Sequence, residues 1–288
     1  MTEQVTRKGK LGITAGGGPL PLRLAEAARA QGREVFIVGI EGAAGSSIEA
    51  WPHGWVRVGA MGKFVRLFKE AGCEDIVFIG PMNRPRLRDI IPDFQGLLLM
   101  PDFIKRLKVG DDALLRGVVE HLERNGLRVV AAETILTSLL AQEGLLTHKA
   151  PDADHQADID LAIQAALDIG ARDIGQGAVA RAGKVIALED IKGTDAMLYR
   201  VAAEYPESNS GRSGVLVKLP KPTQDRRVDL PTIGNRTVER AAAAGLAGIA
   251  VEAGGAIIAD PDEIASVADQ LGLFVLCFPP SRLEGLLP

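Results

Sequence analysis

Residues 221–234 read KPTQDRRVDLPTIG and set two acids, Asp225 and Asp229, beside Gln224, Arg226 and Arg227, between prolines. Carboxylates suit a hard cation such as Mg2+, and guanidinium forks suit phosphate. The stretch follows an apolar run at residues 214–219 that reads as a buried strand carrying Lys218 near its end. A buried strand that opens into a rigid, charged loop is how α/β enzymes present chemistry at a sheet edge. DRRVD alone would fit a solvated turn closed by surface ion pairs equally well. The neighbouring motifs are what tip the reading towards chemistry.

Glu189, Asp190 and Asp195 surround a glycine turn at Gly193. Glu189 and Asp190 end a strand, where sites gather, and Thr194 or Asp195 would cap the next helix. Glu252 is an acid inside an apolar segment, so it needs a partner or a metal. Residues 15–28, AGGGPLPLRLAEAA, place Gly16, Gly17 and Gly18 before a helix, where backbone approach is close and N–H groups face an anion. Gly16 and Gly18 fit the glycine fingerprint of dinucleotide folds, but Pro21 holds its third position. Glu41 stands where such folds place a ribose-binding acid.

Arg84, Arg86 and Arg88 in GPMNRPRLRDI could grip a pyrophosphate or an anionic lipid surface, or form a solvated loop. Lys105, Arg106 and Lys108 read as one face of a helix, and Phe94, residues 97–100 and Phe103 as core. The four histidines form no spaced set, and no serine or cysteine sits in a nucleophile elbow.

The elements that must position these groups alternate. Strands at residues 11–14, 34–40, 75–79 and 127–131 are interleaved with helices at 20–31, 63–70 and 110–126, the last capped by Asp111 or Asp112. This rhythm predicts an N-terminal Rossmann-like parallel-sheet domain over residues 1–143. A polar stretch at 147–158 reads as linker beginning near Gly144. A C-terminal catalytic α/β domain, 144–288, then carries a helix at 159–169, a hairpin around Ala182–Gly183 and a helix at 194–204. It continues with a helix at 237–244, a strand pair through 248–258, a Pro261-started helix and a last strand at 273–277.

A net charge of −4 lacks the basic excess of a nucleic-acid binder, so no nucleic-acid partner is expected. Cys73 and Cys277 stand alone in apolar segments and read as free thiols of a reducing cytoplasm. The polar N-terminus shows no apolar signal core. Glu252 in the middle of residues 241–259 would cost about 3 kcal/mol at a bilayer centre, so any membrane contact is expected to be peripheral.

Five strings together resemble the UDP-2,3-diacylglucosamine pyrophosphatases of the LpxI type. They are AGGGPLPL at 15–22, GDDALLR at 110–116, ALEDIKGTDAMLYR at 187–200, VLVKLPKPTQDRRVDLPTIG at 215–234 and AGLAGIAVEAGGAII at 244–258. The resemblance implies a cytoplasmic, Mg2+-dependent hydrolase of lipid A biosynthesis that splits UDP-2,3-diacylglucosamine into UMP and 2,3-diacylglucosamine 1-phosphate (lipid X). It implies two domains with the substrate cleft between them, a homodimer, and peripheral contact with the inner membrane. Asp225 is the position it associates with catalysis, and Asn235 stands where proline is expected.

The expected catalytic set is Asp225, Lys218, Gln224 and Arg226. Gly16, Gly17, Gly18, Arg84, Thr194, Asp195 and Arg227 are expected to bind substrate, and Asp225, Glu189, Asp190, Asp229 and Glu252 to hold Mg2+. The competing readings are an NAD(P)-dependent oxidoreductase and a non-catalytic nucleotide-sugar or lipid-binding protein.

Overall fold

A computed structural model describes residues 9–82, 90–205, 211–222, 224–284 and 286, with only the backbone at 107–109 and 111. The chain divides into two compact units. One takes the chain up to Thr137 together with Asp225–Asp229, and the other takes Ser138–Gln224 and Leu230–Pro288.

The first unit runs β1 (Lys10–Ala15), α1 (Leu20–Ala30), β2 (Val35–Ile40), β3 (His53–Val56), α2 (Met61–Glu70), β4 (Cys73–Ile79), α3 (Phe94–Val109), α4 (Asp111–Arg124) and β5 (Arg128–Val129). Its five strands form one parallel sheet in the order β3-β2-β1-β4-β5. The expected Rossmann-like sheet is therefore present. Chain order reverses between β1 and β4, and the carboxyl ends of strands at such a switch point are where ligands bind in open α/β sheets. The edge strand β3 was not foreseen, because HGWV is short and mixes glycine and histidine with two apolar residues.

Next to the opposite edge strand, buried Asp75 near the start of β4 takes Arg33 at 2.9 Å and Arg128 at 2.7 Å. The side chains of Phe64, Phe68, Ile76, Leu122 and Val129 pack into one core cluster of this unit, and Val228 of the inserted segment rests against it.

Two expectations fail in the α3–α4 region. Phe94, Leu97 and Leu98 are 77%, 60% and 67% exposed rather than core. The helix docks through its backbone, since a Cβ at Gly96 would collide with the Gly59 carbonyl oxygen. Asp93 fixes that docking by accepting from Gly96 N at 2.8 Å and Lys63 N at 2.7 Å. The N-cap of α4 is Gly110 rather than Asp111 or Asp112. Arg106 turns towards α4 and pairs with Asp102 and Glu120.

The second unit runs β6 (Gly144–Leu145), α5 (Ala153–Ala171), β7 (Gly177–Arg181), β8 (Lys184–Leu188), α6 (Gly193–Glu204), β9 (Val215–Lys218), β10 (Thr232–Ile233), α7 (Asn235–Ala243), β11 (Gly248–Glu252), β12 (Ile257–Ile258), α8 (Pro261–Gln270) and β13 (Phe274–Phe278). A six-stranded sheet takes the order β6-β13-β11-β9-β7-β8, with a parallel centre β13-β11-β9 and antiparallel flanks. Alternation along the strands sends Val215 and Val217 to the core under α5, and Leu216 to the core under α6, α7 and α8.

The hairpin at Ala182–Gly183 is present, with φ of 52° and 72°, the pair of positive values a two-residue I′ turn requires. Buried Asp158 accepts both turn N–H groups, at 3.0 and 2.8 Å.

Residues 147–158, read as linker, are half helical. Asp152 caps α5 by accepting from His155 N at 2.9 Å, so the helix starts well before its apolar face does. The strands within 248–258 do not pair with each other. β11 lies in the large sheet, whereas β12 pairs with β10.

Candidate functional site

Asp225 belongs to the first unit, in a segment that Arg227 ties to the carboxyl end of β5. Arg227 donates to it twice, Nε to Oδ1 at 3.0 Å and Nη2 to Oδ2 at 2.7 Å, and its backbone N donates to Oδ1 at 3.1 Å. The same guanidinium sends Nη1 to Glu123 Oε1 at 2.7 Å and to the carbonyl oxygen of Val129, the last residue of β5, at 3.3 Å. The sheet order places β5 two strands from β1, whose carboxyl end leads into Gly16–Gly18.

These hydrogen bonds from Arg227 hold the Asp225 carboxyl below the usual carboxylate range, against the opposing pull of burial. The charges of Arg227 and Arg116 act in the same direction as the bonds. Arg227 is in turn pushed further up by Asp225 and Glu123. Asp225 is thus a fixed anion, and it is a weak proton acceptor in this arrangement.

Glu123, near the C-terminal end of α4, was not singled out in the sequence. On a helix rich in charges it reads as a solvated face. Arg116 was quoted only inside GDDALLR. It is exposed, makes no hydrogen bond or ion pair among the described residues, and is near enough to lower the Asp225 pKa.

The glycine turn is less open to an anion than its sequence suggests. Gly16 N donates to Ile79 O at 2.9 Å and Gly17 N to Pro81 O at 2.8 Å, so two N–H groups of the expected cradle are spent on the end of β4. A Cβ at Gly16 would meet the Gly80 carbonyl, and one at Gly80 would come within 2.5 Å of Gly17 O. These glycines are needed first for backbone packing. Pro21 at the start of α1 withholds another donor. Glu41 pairs with Arg57 at 3.5 Å. Arg84, with Arg86 and Arg88, lies outside the described residues.

In the second unit, Glu189, Gly177, Lys218 and Val251 form one row across the sheet. Glu189 N donates to Gly177 O, Gly177 is level with Lys218, and Lys218 with Val251. The Glu189 carboxylate lies over Gly177, where a Cβ would come within 2.6 Å of Oε2. Both charged groups are buried, at 7% and 6% exposure. Lys218 Nζ reaches Thr232 O at 3.4 Å, and Glu189 Oε2 has no hydrogen-bond partner among the described residues. Glu252 is buried at the end of β11 against Gly255.

Several expected site residues make contacts within the scaffold. Asp190 accepts from Lys192 N and from Arg200 Nη1, both at 2.8 Å, and these contacts lower its pKa in that order. It therefore braces the start of α6, whose N-cap is Lys192 rather than Thr194 or Asp195. Asp195 pairs with Arg236 at 2.5 Å and Arg240 at 3.2 Å, joining α6 to α7. Buried Gln224 closes a turn by accepting from Lys221 N at 2.9 Å, and Lys221 Nζ holds Asp173 at 2.6 Å. Arg226 is exposed, and Asp229 N donates to Asp225 O.

Among the described residues, no three His, Cys, Asp or Glu side chains gather as a metal site. The five expected acids divide between the units, with Asp225 and Asp229 in the first and Glu189, Asp190 and Glu252 in the second. A magnesium ion that bridges phosphate oxygens needs only one or two protein carboxylates. Asp225 offers about four acceptor positions and uses three of them among the described residues, which leaves one on Oδ2.

Family models for the N-terminal and C-terminal LpxI domains match residues 10–139 and 142–276. The chain belongs to the LpxI family. An LpxI relative, the UDP-2,3-diacylglucosamine pyrophosphatase LpxI of Caulobacter vibrioides, is 43% identical over 277 residues, covering 95% of this chain and 99% of that protein. A solved structure described as an NAD-dependent epimerase/dehydratase of Methylobacillus flagellatus aligns with 50% of this LpxI-family chain and 44% of its own. Its 17% identity and TM-score of 0.25 are too low to carry an argument. No described helix is long and apolar enough to cross a membrane.

Proposed function

We propose that the chain hydrolyses the pyrophosphate bond of UDP-2,3-diacylglucosamine, with Mg2+, to UMP and 2,3-diacylglucosamine 1-phosphate in lipid A biosynthesis. The observation that carries this reading is the 43% identity with a UDP-2,3-diacylglucosamine pyrophosphatase across nearly the whole of both chains. The site agrees with it. A pyrophosphate diester presents spread negative charge and needs cations for neutralisation and a placed water for in-line attack.

Asp225, held anionic, would hold the magnesium or orient the water through its one remaining acceptor position. Bound magnesium would neutralise charge on the phosphate oxygens. Arg116, exposed and without a hydrogen-bonding partner among the described residues, would meet phosphate. Lys218 and Glu189, both buried, are further charged groups of the second unit. The apolar side chains exposed along α3 support peripheral contact with the inner membrane, and a homodimer is part of the same reading.

The test is to incubate the purified chain with UDP-2,3-diacylglucosamine in ¹⁸O-water, with magnesium or with chelator, and to analyse both products by mass. Release of UMP and the lipid 1-phosphate, stopped by chelator and reduced ~10²-fold or more in Asp225→Ala, is expected. Substrate that persists unchanged at every magnesium concentration would reject the reading.

A further inference from the structure

Arg227 was expected to bind substrate phosphate, but its donors are already allocated. A guanidinium has five N–H groups. Nε and one Nη2 proton go to Asp225, and both Nη1 protons go to Glu123 Oε1 and Val129 O. Among the described residues a single Nη2 proton remains, too few for the parallel two-bond grip through which arginine holds a phosphate. Retargeting it would strip Asp225 of two of its three donors and leave Glu123 unanswered near the negative C-terminal end of α4.

The geometry points to Arg227 as the positioning residue for Asp225, with Glu123 as the anchor that holds Arg227 in place. The proposal rests on the hydrolase reading and on the role given there to Asp225. Glu123 and the Val129 carbonyl fix the guanidinium plane from one side. From the other side the plane fixes both oxygens of Asp225, so that its one open lone pair points in a set direction. This is the logic by which a reacting group is oriented by a second residue and that residue by a third. Lysine has no planar fork, so it cannot hold both Asp225 oxygens in one plane while also meeting Glu123 and the Val129 carbonyl.

The test compares steady-state kinetics on UDP-2,3-diacylglucosamine for the parent, Arg227→Lys, Arg227→Ala, Glu123→Gln and the Glu123→Gln/Arg227→Lys pair. Arg227→Lys is expected to lower kcat ~10-fold or more with KM within about twofold. Added guanidinium should restore part of the kcat of Arg227→Ala, and Glu123→Gln should lower kcat less. The paired variant should be no slower than Arg227→Lys alone, because both act through one contact chain.

A readout independent of turnover is the Arg227 Nε–H resonance. It should exchange slowly in the parent and quickly in Asp225→Asn. A tenfold rise in KM with kcat retained in Arg227→Lys, multiplicative effects in the paired variant, or fast Nε–H exchange in the parent would each overturn the proposal. A parent that releases no UMP removes the hydrolase reading and this proposal together. A parent that does, with only KM changed in Arg227→Lys, removes this proposal alone.

Discussion

Asp225 and the two cysteines show opposite effects of environment on a titrating group. Asp225 is partly buried, yet three donors keep it charged. Cys73 and Cys277 have apolar surroundings, and burial pushes both thiols up to about 11. At neutral pH a thiol with that pKa is almost wholly protonated, and only the thiolate attacks. Iodoacetamide is therefore expected to label neither cysteine in the folded chain within the time that labels both in urea. Rapid labelling before unfolding would contradict the burial.

Asp190 offers a second test at this scale. Its carboxylate supplies the bracing bond at the start of α6 that Thr194 and Asp195 do not, so Asp190→Ala should cost about 1 kcal/mol in urea denaturation. The charged loop that carries Asp225 was legible in the string DRRVD, although Arg227 was assigned to substrate rather than to Asp225. Glu123 was not, because its partner is 104 positions away in sequence.

At the scale of elements, periodicity carried most of the fold, and its failures have local causes. The start of α5 was set by the Asp152 cap rather than by the first buried residue. α3 exposes Phe94 and Leu97 because Gly96 brings its backbone against Gly59. Hydropathy cannot distinguish an apolar face turned inward from one left outside.

The β1–β4 junction depends on glycine, and the strain is steric. Gly16→Ala is expected to lower the thermal midpoint by several degrees, since its Cβ would meet the rigid Gly80 carbonyl and the neighbouring chain must shift. At the other end of β4, Asp75 is 4% exposed and answers two arginines. Asp75→Ala should cost about 3 kcal/mol, because Arg33 and Arg128 are then left without their carboxylate. An unchanged urea midpoint would show that the triad adds nothing.

For the whole molecule, Asp225–Asp229 is counted with the first unit although the chain on both sides belongs to the second. Asp225 and Asp190 both have folded pKa values below the unfolded one. Each adds stability that is complete above the unfolded carboxylate pKa of about 3.9 and is lost as pH falls through the folded value. His121, lowered chiefly by burial with help from Arg124, adds a shallower loss that begins as pH falls through about 6.5. The urea midpoint should be flat between about pH 7 and 8, slope gently below, and drop steeply in the carboxylate range. A midpoint that rises on acidification would contradict these assignments.

The amino-acid sequence by itself determined the α/β class, most of the strand–helix order of both units, the free buried thiols and the charged loop at 221–234. Each of these follows from hydrophobic period, turn chemistry and side-chain type, which act over a few neighbouring residues. Tertiary structure alone decided that Arg227 is anchored by Glu123 and the Val129 carbonyl, and that Gly16 and Gly17 spend their N–H groups on Ile79 and Pro81. It also decided that Glu189 lies over Gly177 beside Lys218. Those facts depend on which distant segments pack together, and a hydrogen bond made inside the fold leaves no periodic trace in the chain.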